Sequence, residues 1–130
     1  MDSTRRRELR ASLVRQLTDE SAQSRFSPRD RVHWLGDQVE EYLERWLAFC
    51  AASDPVSPLF VESALFDMLE IGSEVLTEEL HTVSTPSNVA DAWHGFEAAL
   101  KRIRHQGDWQ QAQRLRKILA EWRSLASSVG

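Results

Sequence analysis

Apolar residues recur along the chain at three- and four-residue spacing, and no stretch alternates as a half-buried strand would. Five segments carry this pattern, at approximately 4–24, 28–52, 58–81, 87–105 and 109–126. The second presents Val32, Leu35, Val39, Tyr42, Leu43, Trp46, Leu47 and Cys50 on one face. The third is the most apolar, with Val61, Ala64, Leu65, Met68, Leu69, Ile71, Val75 and Leu76. A face that wide predicts a central position. The fourth presents Val89, Trp93, Phe96, Leu100 and Ile103, and the fifth Ala112, Leu115, Ile118, Leu119, Trp122 and Leu125. Only Leu9, Leu13, Val14 and Leu17 mark the first segment. Its thin stripe predicts weak docking, or burial completed by a partner.

The segment ends are punctuated. Ser27-Pro28, Ser57-Pro58 and Thr85-Pro86 each place a hydroxyl where it can cap a helix and a proline at the first helical position. Ser27 has Asp30 three residues on, an acid-tipped capping box. Gly107-Asp108 reads as the stop of one helix and the cap of the next, with Gln111 reaching back. Short connections predict antiparallel neighbours. The expected fold is therefore all-α: one helical domain over 1–130, an antiparallel bundle of about five helices. Residues 1–8 are a candidate flexible basic arm.

Composition agrees and removes several classes. With 42% hydrophobic and 28% charged residues the chain is not of the disordered type. Five Gly and four Pro are too few for a turn-rich β-sandwich. A single cysteine, Cys50, leaves no internal disulfide and no cysteine-based zinc cluster. It falls on an apolar face, where cysteine behaves as a small hydrophobe. The N-terminus lacks the apolar core of a signal peptide, and no run of ~20 apolar residues spans a bilayer. The expectation is a cytoplasmic protein without membrane contact. No nucleophile elbow or glycine-rich phosphate loop is present, and no cofactor is implied.

Charge sharpens the picture. The net charge of −4 divides into +2 over 1–27, −9 over 28–81 and +3 over 82–130. Candidate phosphate-binding cations are Arg5, Arg6, Arg7 and Arg10 near the start, then Lys101, Arg102, Arg104, Arg114, Arg116 and Lys117. On one shared face they would neutralise a nucleic-acid backbone. The plainer expectation is a solvated surface that complements the acidic middle, within or between subunits. Asp37, Glu40, Glu41 and Glu44 on the second helix, and Asp67, Glu70, Glu74 and Glu78 on the third, are expected away from the apolar faces.

Glu40-Glu41-Tyr42-Leu43-Glu44 followed by Asp67-Met68-Leu69-Glu70 resembles the paired acidic motifs of all-α nucleotide pyrophosphohydrolases. That resemblance implies Mg²⁺ held by acids of two helices against a nucleoside triphosphate. The second motif runs in the reverse order from the family's. A di-iron site would need two inward Glu-x-x-His pairs, and only Glu78 with His81 has that spacing. Gly107-Asp108-Trp109 with Ala112 looks like the middle of a tetratricopeptide unit. No ~34-residue period recurs, so one helical hairpin is the reading.

Four apolar residues miss the main stripes: Trp34, Leu59, Phe66 and Trp109. Aromatic residues of this kind anchor interfaces, which makes these four the candidate partner-binding residues. The leading expectation is a non-catalytic helical interaction protein, an adaptor or small subunit that docks on another protein or its own copy. The alternative is a phosphate-backbone-binding subunit of a nucleoprotein complex; in size and charge pattern the chain resembles the small all-α subunits of CRISPR effector complexes. A Mg²⁺-dependent pyrophosphohydrolase comes third.

Overall fold

The computed structural model describes residues 3–52, 63–106 and 110–127, and among them there are five helices and no strand. They are α1 (Ser3–Ser24), α2 (Pro28–Ala52), α3 (Ala64–Leu80), α4 (Ser87–Gln106) and α5 (Gln110–Ser127). α2 packs along α3 and α4 along α5. The two hairpins meet where α5 lies on α2 and α4 on α3, and α1 lies across α3 and α2. Ion pairs give the directions. Arg5 reaches Asp67 and Arg10 reaches Glu78, so α1 runs parallel to α3. Arg31 meets Glu79, and Arg123 meets Asp37, so α2 is antiparallel to both α3 and α5.

The apolar stripes of α2, α4 and α5 are buried as their spacing predicts, with Ile118 and Leu125 only half covered. Trp46, Trp93 and Trp122 form the centre. The Trp93 ring lies 4.7 Å from Trp122 and 5.0 Å from Phe96, and Trp46 lies 4.9 Å from Phe66, centroid to centroid. Trp93 Nε1 donates to Thr77 Oγ1 at 2.8 Å, so its one polar atom is satisfied. α3 touches α1, α2 and α4, the central position its wide face predicts. Close approach there depends on Gly72: a Cβ would sit 3.2 Å from Tyr42 and 3.3 Å from Val39. No described helix is long and apolar enough to cross a membrane.

The helix ends follow the sequence in part. Ser27 and Asp30 form the expected reciprocal cap, with Ser27 N–H donating to Asp30 Oδ2 at 2.9 Å and Asp30 N–H to Ser27 Oγ at 3.1 Å. The Ser57-Pro58 start lies outside the described residues, and α3 runs from Ala64. Ser63 is its cap, extended in backbone and accepting from Phe66 N–H at 3.2 Å. Thr85 is not the cap of α4. Its hydroxyl turns back to the carbonyls of Leu80 and Val83, and the Pro86 carbonyl accepts the first helical bonds. The Gly107-Asp108 turn lies outside the described residues. Residues 3–8 are the first turns of α1, not a free arm, because Arg5 and Arg6 are tied to α3.

α1 ends in a tight reversal. Arg25 takes a left-handed backbone, φ 53, and Phe26 N–H donates to Ser21 O at 3.1 Å. This is the glycine position of a helix-terminating turn, and a side chain there costs about 1–2 kcal/mol.

Candidate functional site

The charges of the five helices come together in two ladders. In the first, α3 offers Asp67, Glu70, Glu74 and Glu78 along one side. Arg5 and Arg6 of α1 and Arg104 of α4 converge on Asp67, whose side chain is 1% exposed. Arg6 Nη1 lies 3.2 Å from Asp67 Oδ1 and 3.1 Å from Glu70 Oε1, and its Nη2 lies 3.2 Å from Glu74 Oε1. Arg104 Nη2 donates to Asp67 Oδ1 at 3.1 Å and also to Glu70. Arg10 closes the ladder on Glu78. The Arg104 guanidinium stands 4.8 Å over the Phe66 ring, a cation–π contact. Burial presses the Arg104 pKa downward, but its bonds to Glu70 and Asp67 outweigh that and hold it above the ordinary arginine value.

The second ladder joins α5 to α2. Arg116 forks onto Glu44, Nε to Oε1 at 2.7 Å and Nη2 to Oε2 at 2.6 Å. That hydrogen bonding holds the Glu44 carboxyl below its ordinary value. Arg123 bonds both Asp37 and Glu40. Arg31 adds a bridge at the end of the bundle, with Nη2 2.7 Å from Glu79 Oε1 and Nη1 3.0 Å from Ser21 Oγ.

These ladders redistribute the expected sites. Arg5, Arg6, Arg10, Arg104 and Arg116 do not form one open cationic face, because each is occupied by a carboxylate of this chain. Asp67 and Glu70 do not lie away from the packing; the first is buried and the second 16% exposed. The five acids of the pyrophosphohydrolase-like motif are divided: Glu40 pairs with Arg123, Glu41 with Arg45, Glu44 with Arg116, and Asp67 and Glu70 meet Arg6 and Arg104. Among the described residues no group of three or more His, Cys, Asp or Glu is placed to hold a metal ion.

Phe66 cannot serve as an exposed anchor, because it is fully buried against Trp46 beneath Arg104. Trp34 is half-buried and packs on the core. Leu59 and Trp109 lie outside the described residues. Among those described, the one large apolar side chain classed as exposed is Val14, at 39%.

The cations that remain open are Arg7 on α1 and four on the α4–α5 hairpin. Arg7, Lys101, Arg102, Arg114 and Lys117 are exposed and make no ion pair among the described residues. Of these, Arg102, Arg114 and Lys117 line one groove of about 390 Å³. Gly95, Ala98, Ala99 and Ile118 form its floor, and Glu121 stands at the edge. A Cβ on Gly95 would meet nothing within 4 Å, so no packing inside the chain calls for glycine there. A second groove of about 500 Å³ crosses the bundle end between Val32, Leu80, Val83, Pro86 and Val89; it is mainly apolar and gathers no charge cluster.

Sequence reasoning missed Asp67 as a hub. The available signal was the wide face of α3: a helix wrapped on three sides covers residues beyond its main stripe. Comparison with protein-family models, curated proteins and solved structures returned no match.

Proposed function

We propose that the chain is a non-catalytic helical interaction protein, an adaptor or small subunit of a larger assembly, that docks an acidic partner on its α4–α5 hairpin. The observation that supports this reading is the contrast between two sets of cations. Arg5, Arg6 and Arg10 of α1, and Arg104, Arg116 and Arg123, are answered by carboxylates of the same chain. Arg102, Arg114 and Lys117 surround one groove with no such answer among the described residues. A cluster of exposed cations attracts a partner that brings opposite charge, and charge complementarity selects partners as well as attracting them. The floor of Gly95, Ala98 and Ile118 admits the close approach of a partner backbone. We place the protein in the cytoplasm, on its single unpaired thiol.

The test is affinity capture from the native host with the chain and with Arg102→Glu/Arg114→Glu/Lys117→Glu. A partner kept by the first and lost by the second, at equal thermal stability, is the expected result. The same partners on both would sink the reading. A phosphate backbone is the second reading, and it draws also on exposed Lys101 of α4. Three or four phosphate contacts predict a log–log salt slope of about −3 for duplex DNA. Fluorescence anisotropy with labelled single and double strands across a salt series separates the two readings, since no binding at low salt removes the second.

A further inference from the structure

We propose that α1 exchanges between two copies of this chain, each copy seating the other's α1 on its α2–α3 surface. This goes beyond the docking groove of α4–α5 and does not depend on it. Three observations carry it.

The hinge comes first. α1 and α2 are joined by residues 25–27 alone, and Arg25 is held in the left-handed region at φ 53. A short, strained connection favours exchange, because extending it releases the strain in both copies. Ser27 precedes Pro28, which disfavours continuing α1 into α2 as one helix, so the hinge opens as extended chain. Residues 24–27 then span roughly 13 Å, which places two bodies side by side.

The seat is the second. It is selective, and α1 matches it. Arg6 and Arg10, one turn apart, meet the row Asp67, Glu70, Glu74 and Glu78. Leu9, Leu13 and Leu17 repeat every fourth residue, and the first two face Tyr42, Met68 and Ile71. A gap of about 70 Å³ remains between them. No other described helix combines an apolar row with arginines at that spacing.

Third, the body is complete without its own α1. Asp67 keeps Arg104, and Phe66 keeps both Arg104 and Trp46. The three central tryptophans come from α2, α4 and α5, and α1 adds Leu13 and Leu17 to the same core. Every contact α1 makes in one copy is available from the other.

The experiment uses two full-length variants with complementary charge reversals at exposed positions. One carries Arg10→Glu, the other Glu78→Arg. Within either chain α1 then meets like charge on its own seat, whereas exchange between the two restores opposite charge on both seats. After incubation at equal amounts, native mass spectrometry is expected to find a one-to-one heterodimer, roughly tenfold more abundant than either homodimer. Far-UV dichroism confirms that both variants are folded. A mixture that stays as two monomers overturns the proposal. The unaltered chain supplies the second measurement. Its dimer, followed from micromolar to millimolar concentration, is expected to weaken roughly tenfold on Arg25→Gly, which removes the hinge strain and leaves the seat intact. A dimer indifferent to Arg25→Gly lies on another surface and also overturns it.

Discussion

Asp67 shows how strongly a single buried carboxylate can organise its surroundings. Removing its charge while keeping its shape, Asp67→Asn, takes one of two paired carboxylate charges from the largely buried Arg104. Breaking a buried pair from one side costs about 3 kcal/mol, and the same loss at an exposed pair costs under ~1 kcal/mol. Urea unfolding should therefore find Asp67→Asn far more damaging than Glu78→Gln, whose side chain is 60% exposed. Equal effects would show that the cluster contributes no more than a surface pair. Cys50 gives a second residue-level expectation. Burial pushes its thiol up to about 12, so it stays protonated near neutral pH. An aromatic disulfide reagent at pH 8 should label it only as fast as the bundle opens, and fast labelling of the folded protein would contradict its burial. The apolar spacing placed Cys50 correctly and Phe66 wrongly for one physical reason. A wheel describes a helix with one buried side; α2 satisfies that at Cys50, whereas α3 has neighbours on three sides.

At the scale of elements, the two helical glycines of α3 and α4 separate packing from propensity. Gly72 lies where α2 and α3 approach most closely, and Gly72→Ala forces Tyr42 or Val39 to move. The expected loss is about 1–2 kcal/mol, as for other over-packed core positions. Gly95 has open space around it, so Gly95→Ala should gain about 0.5–1 kcal/mol from helix propensity alone. Thermal melts of the two variants should shift in opposite directions; shifts of the same sign would mean that the close approach at Gly72 is not what holds the hairpin. The helix ends were legible where a side chain reports its own role, as at Ser27 and Asp30. The caps of α3 and α4 were not. Ser63 caps α3 without a proline to mark it, and Thr85 finds carbonyl acceptors behind it in place of N–H donors ahead.

Across the whole molecule the segregated charge becomes a means of assembly. The acidic middle of −9 lies between basic ends, and the fold brings both ends onto it. Sequence supplied the segregation; which cations stay unanswered depended on helix directions that only the packed bundle provides. Acid should undo this arrangement, and Glu44 fixes the sign. Its folded pKa is lowered, chiefly by the Arg116 hydrogen bonds. Above the unfolded value of about 4.3 both states are ionised and the pair contributes in full. As pH falls below that value the unfolded chain takes up the proton first, and the contribution shrinks. It is gone once the folded carboxyl is protonated too. Because both partners are about half exposed, solvent screens the pair and its worth stays below ~1 kcal/mol. Arg116→Gln should therefore lower the melting temperature by about 1–2 °C at pH 7. The two curves should converge as pH drops through the acid range, while both proteins lose stability as their other paired carboxylates protonate. A gap that persists unchanged into strong acid would mean that Arg116 acts by packing its side chain rather than by pairing with Glu44.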